Sequence, residues 1–182
     1  MSTDVPGIAV PTVTAWLEEH VPGAAGPFRF DVIAGGHSNL TYRVTGANGD
    51  RYVVRRPPLG HRLASAHDMG REHKIISGLQ RSAVPVAPAL GFCDDEAGND
   101  APFYVMGFVD GHVLRDRAST EAILDLAGRR RASESIVDTM AAIHAVDLEA
   151  VGLPDLGKHA GPIARQLKRW DGPWDAPETR RP

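Results

Sequence analysis

The chain has very little cysteine: Cys93 is the single one among 182 residues. One thiol excludes an internal disulfide framework and is the usual state of a protein in a reducing compartment. Its setting in an apolar run, residues 89–93, marks it as a buried structural thiol rather than a nucleophile. No stretch approaches the roughly 18 consecutive apolar residues that a membrane span requires. The first six residues carry neither the basic stretch nor the apolar core of a secretion signal. Charge of either sign is not in excess, with 20 Lys and Arg against 23 Asp and Glu and a net charge of −3. No global field therefore draws the chain toward nucleic acid or membrane. The expectation is a cytoplasmic globular protein without internal repeats, partnered by neither nucleic acid nor membrane. Two local absences matter further on. No asparagine follows Asn99, and none of the eight histidines has an aspartate two positions later.

Strong patterning is present in residues 28–44. Apolar residues alternate before a loop (Phe28, Phe30, Val32) and again after it (Leu40, Tyr42, Val44). A period of two marks half-buried strands. The loop between them reads Gly35-Gly36-His37-Ser38-Asn39. Glycines between strands also serve as plain hairpin punctuation, because glycine takes positive φ at no steric cost. A third strand, 51–56, ends in Arg55 and Arg56 and is stopped by Pro57 and Pro58. A helix follows over 68–80, with Ile75, Ile76 and Leu79 on its buried stripe and Glu72 on the same side. A carboxylate aimed at a core needs a cation, and Arg55 is the natural partner. As separate residues, the two would read as a solvated strand-end charge and a helix-surface acid.

Further elements follow from the same signals. A short amphipathic helix is expected over 12–20, with Pro11 near its start. Strands are expected over 86–92 and 103–108, separated by the polar turn 94–100. A linker over 111–119 leads to a core helix that ends near Ala145, striped by Ile136, Met140 and Ile143, with His144 as a packing histidine. Residues 165–170 read as a short basic helix. This basic, tryptophan-bearing tail could touch RNA or an acidic surface, but no wider basic field supports that over a solvated helix end.

With these residues on the page, the chain resembles the aminoglycoside phosphotransferase (APH) and choline kinase-like family. The resemblance is carried by residues 35–42, 52–58, 71–74, 102–111, 143–147 and 165–170 in that order. The subgroup it is most similar to is related to the kinase-like domains fused to acyl-CoA dehydrogenases. The resemblance implies an α+β, protein-kinase-like fold: lead-in residues 1–27, a complete five-stranded small lobe and hinge over 28–111, and over 112–182 the start of an incomplete helical lobe. It implies ATP and Mg²⁺ as cofactors and a small-molecule hydroxyl as phosphate acceptor. The nucleotide-binding residues it implies are Gly35, Gly36, His37, Ser38 and Asn39 around the phosphates, Arg55 held by Glu72, and Met106, Gly107 and Phe108 beside the adenine. Ser38 would either donate to phosphate or stabilise its own turn. The chain departs from the family pattern at Arg55, where many members carry lysine. A planar guanidinium fork is not equivalent to an ammonium point charge.

Phosphoryl transfer on this fold needs an aspartate that orients the acceptor, an asparagine for metal, and a second aspartate on Mg²⁺. None of the histidines opens the required His-x-Asp. His144 precedes Asp147 by one residue too many, and Asp155-Leu156-Gly157 only imitates the metal-binding motif, in a loop and too early. The expectation is therefore the amino-terminal part of a phosphotransferase, without catalytic or metal ligands. It would be inactive alone, with a C-terminal half supplied in trans or else a purely nucleotide-binding or interaction role.

Overall fold

In a computed structural model, the described residues are 5–33, 39–60, 67–94 and 96–156, together with 163, 166 and 167. Five strands form one antiparallel sheet: β1 (Arg29–Val32), β2 (Leu40–Thr45), β3 (Arg51–Arg56), β4 (Ala89–Cys93) and β5 (Phe103–Gly107). Their spatial order is β1-β2-β3-β5-β4. The central strand β3 therefore pairs on both sides, with Thr41 opposite Arg55 in β2 and Tyr104 opposite Arg55 in β5.

Alternation along these strands builds two different faces. One face carries Tyr42, Val44, Tyr52, Val54, Phe103 and Val105, which are buried beneath helix α1 (Val10–His20) and its apolar side chains Val13 and Leu17. Trp16 meets Phe103 edge-to-face with ring centroids 5.1 Å apart. It also covers Gly91, where an added Cβ would sit 2.7 Å from the indole. The opposite face receives α2 (Met69–Leu79), which packs over β4 and β5. The side chain of Asp68 caps α2 by accepting from the Arg71 N–H at 2.8 Å.

Several expectations are corrected. The fourth strand begins at Ala89 rather than 86, because Pro85 and Pro88 lack the N–H groups a ladder needs. The first helix starts two residues early, with Pro11 inside its first turn. The turn 94–100 contains a short helix α3 (Glu96–Asn99), and the expected linker is cut short by α4 (Arg117–Ile123), which Asp116 and Ser119 cap reciprocally. Val32 is exposed, as suits the edge strand β1. Ile75, Ile76 and Leu79 are only half-buried, and the residues of α2 that are buried are Met69 and Gly78.

The largest correction concerns α5 (Leu126–His144). Ile136, Met140 and Ile143 recur at helical spacing as expected, yet all three are exposed, and so is His144. Periodicity shows that a helix has an apolar face, but burial needs a facing layer, and the described residues place none over this stripe. The expected loop glycines Gly35 and Gly36, with His37 and Ser38, lie outside the described residues. Of the expected basic helix 165–170, only Gln166 and Leu167 are described, and both are helical.

A turn over 147–153 follows α5 and docks on α2. Val151 and Leu153 are buried, and a Cβ added at Gly78 would sit 2.8 Å from Leu153 and 3.0 Å from the Val151 carbonyl. A bulky β-branched side chain there has to push backbone aside. Gly78→Val should destabilise the protein by about 1–3 kcal/mol, the usual cost of overpacking. A lowered urea midpoint at unchanged slope checks this.

Candidate functional site

Arg55 and Glu72 do meet. Arg55 Nε donates to Glu72 Oε2 at 2.9 Å, and its Nη1 donates to the Thr41 hydroxyl at 3.0 Å. Sheet register explains the second contact, since Thr41 and Arg55 are opposed residues on one face. Tyr104, opposite Arg55 on its other side, donates its hydroxyl to the same Glu72 oxygen at 3.1 Å. Thr41, Arg55 and Tyr104 thus form one row across the sheet, and the first full turn of α2 lowers Glu72 onto it.

The remaining oxygen, Glu72 Oε1, accepts from Asn39 Nδ2 at 3.0 Å. A carboxylate can only accept, so the Asn39 amide nitrogen faces Glu72 and its oxygen faces away. That oxygen lies 2.7 Å from His67 Nδ1, which makes Nδ1 the protonated ring nitrogen. Burial raises the Tyr104 phenol above its ordinary range, and the neighbouring Glu72 carboxylate raises it further against the lowering effect of Arg55. Tyr104 is therefore a proton donor to Glu72 throughout the neutral range. His73, on the next position of α2, stacks over Phe92 with centroids 5.8 Å apart, and burial lowers its pKa.

Of the expected site residues, Asn39, Arg55 and Glu72 are brought together. Asn39 acts here through its side chain, which is buried, rather than through backbone alone. Met106 stands opposite Val53, one step along β5 from the Arg55 row and on the same face. Gly107 closes β5, and Phe108 follows it with the Arg51 guanidinium 4.7 Å from its ring centroid. Arg51 also forks onto the Asp110 carboxylate, tying the segment after β5 to β3. Thr41 and Tyr104 were missed. Strand parity placed both on the face of Arg55, but parity does not say which residues of different strands share a row. His67 carried no signal.

Arg55 Nη2 makes no hydrogen bond among the described residues, and its side chain remains 29% exposed. An always-charged guanidinium with an open edge suits a phosphate oxyanion. Metal is less well served. Among the described residues, no group of three His, Cys, Asp or Glu side chains could hold an ion. Asp147 accepts from the backbone N–H groups of Glu149 and Ala150, capping its own turn, and Asp155 is an exposed turn residue. No described helix is long and apolar enough to cross a membrane.

Comparison with known proteins adds the deciding observation: the model of the phosphotransferase enzyme family, APH, matches residues 29–181. The chain belongs to the APH phosphotransferase family. The solved structure of a putative aminoglycoside phosphotransferase from Ralstonia eutropha superposes on this APH-family chain with a TM-score of 0.75 and 32% identity, covering 96% of this chain and 49% of the other. The fold is therefore the protein-kinase-like one. Among curated proteins, mouse acyl-CoA dehydrogenase family member 10 is 32% identical over 90% of this chain and 15% of its own length. Chicken acyl-CoA dehydrogenase family member 11 is 32% identical over 84% of the chain and 19% of its own length. These are the relatives that the sequence resemblance implied. The APH-family chain spans about half of the solved relative and a fifth or less of these curated ones.

Proposed function

We propose that this chain is the nucleotide-holding part of an ATP-dependent phosphotransferase that acts on a small-molecule hydroxyl. The observation that carries this reading is the Arg55–Glu72 pair, set by register on the sheet face that continues to Met106. Bound nucleotide would supply the phosphoryl group. The residues of this chain would bind and orient it: Arg55 by charge and fork geometry at the phosphates, and the strand end at Met106, Gly107 and Phe108 along the base. Gly35, Gly36, His37 and Ser38 complete the phosphate end in this reading. No step is assigned through Mg²⁺, because the described residues supply no ligand set for it.

By itself the chain is a nucleotide-binding module rather than a working kinase in this proposal. The sequence contains no His-x-Asp and no asparagine beyond Asn99, so the acceptor-orienting and metal-holding groups would come from further polypeptide. Calorimetric titration with ATP and Mg²⁺ tests the placement. Binding should be measurable and weak, and Arg55→Ala should weaken it about tenfold or more, the worth of charge-assisted hydrogen bonds. Binding indifferent to Arg55→Ala removes the phosphate end from this position.

A further inference from the structure

Glu72 is held by more than the cation it pairs with. Its two carboxylate oxygens accept from three elements at once: Asn39 at the start of β2, Arg55 in β3 and Tyr104 in β5. Building on the proposed nucleotide role of Arg55, we propose that Tyr104 and Asn39 are positioning residues that lock Glu72 before nucleotide arrives, so that Arg55 is presented in one orientation.

Three observations support this. First, both donors are buried. Tyr104 is 2% exposed and Asn39 is 6% exposed, and the Asn39 amide is itself fixed by His67. Second, the donors divide the carboxylate between them. Asn39 occupies Oε1, and Tyr104 shares Oε2 with Arg55 Nε, which leaves the carboxylate little freedom to rotate. Third, Thr41 takes Arg55 Nη1, so Nε and Nη1 each have a partner, and Nη2 makes no hydrogen bond among the described residues. A long guanidinium side chain loses rotamer freedom when it is ordered. Here that loss falls on folding instead of on binding, which is how preorganisation strengthens an interaction without adding a contact to the ligand. Asn39 also immediately follows the glycine-bearing segment 35–38. The same amide ties the residue that leads into β2 to α2.

Thermodynamic coupling separates positioning from mere support of the fold. In the 182-residue protein, Tyr104→Phe should weaken ATP binding about tenfold, which is 1.4 kcal/mol. In the Arg55→Ala background the same change should have no further effect. Equal weakening in both backgrounds, or none in either, overturns the proposal. A readout free of nucleotide accompanies it: solvent exchange of the Arg55 Nε–H, followed by ¹⁵N NMR without ATP. Exchange should be slow in the parent and about tenfold faster in Tyr104→Phe, and unchanged exchange overturns the lock. Absence of ATP binding by the parent, or indifference to Arg55→Ala alone, defeats the proposed nucleotide role instead. The NMR result then decides the lock on its own. If Tyr104→Phe does not fold, Asn39→Ala takes its place in both measurements with the same expected outcomes.

Discussion

Purified 182-residue protein, supplied with ATP, Mg²⁺ and a panel of hydroxylated small molecules, should consume no ATP above the protein-free rate. Loss of general-base assistance costs about 10²–10⁴-fold. Metal ions that neutralise charge in the transition state contribute several kcal/mol more, at tenfold in rate for about every 1.36 kcal/mol. Together these deficits should lower a typical kinase turnover, about 1–100 per second, by about 10⁴-fold or more. Asp147 is not expected to repair them, since its side chain caps its own turn. Turnover abolished by Asp147→Ala or Asp155→Ala would show that one of these turn carboxylates works in catalysis. Turnover that appears only on adding the remaining polypeptide of a family member would establish that catalysis is shared between two pieces.

Arg56→Ala should cost the fold more stability than alanine at its neighbour Arg55, whose side chain is 29% exposed. Arg56 is 2% exposed and lies on the α1 side of the sheet. Its Nη1 donates to the Gly7 carbonyl and, at 3.5 Å, to that of Asn99, while Nε donates to the Pro57 carbonyl at 3.2 Å. Asn99 in turn accepts from the Ala9 N–H, so Arg56 helps fasten the residues leading into α1 to the sheet, alongside the Tyr42 hydroxyl, which donates to the Pro6 carbonyl. Each buried acceptor left without a donor costs about 1–3 kcal/mol. Arg56→Ala should therefore lose about 2–5 kcal/mol, lowering the melting temperature by about 2–4 °C for each kcal/mol. Thermal melts of the two alanine variants side by side check this, and equal losses would refute the division of labour.

How much of this was legible in sequence depended on how local the signal was. The bounds of β3 followed from a run of β-branched and aromatic residues closed by two prolines. Those of α2 followed from an apolar stripe at helical spacing. Both are properties of consecutive residues. The pairing of Arg55 with Glu72 was also accessible, because a carboxylate on the inward side of a helix demands a cation and one strand offered it. Tyr104 and Thr41 were not accessible. They reach Glu72 and Arg55 through the register of three strands, and register is set by pairing across long sequence separations. The stripe of α5 failed for the opposite reason. Its period was read correctly, but nothing in a helix's own sequence states whether its partner layer is at hand. The burial of Arg56 ran against the general rule that arginine stays exposed, and backbone carbonyls supplied by distant residues make it tolerable.

The alternation in β3 has a consequence for how the strand is encoded. Residues 53–56 read Val-Val-Arg-Arg, so a slip of one position would put valine on valine and arginine on arginine at two of its sites. The boundary between the pairs is what discriminates, since a slip would bring Arg55 to the fully buried place of Val54 or leave Val54 facing Glu72 in place of Arg55. The flanks add to the distinction. A slip in one direction would bring Arg51 to the place of Tyr52, buried under α1, and a slip in the other would draw the N–H-deficient Pro57 into the ladder. Two chemically identical neighbours acquire opposite roles, one paired with Glu72 on the α2 side of the sheet and one sealing the core beneath α1, and the instruction that tells them apart is written in Tyr52, Val54 and Pro57.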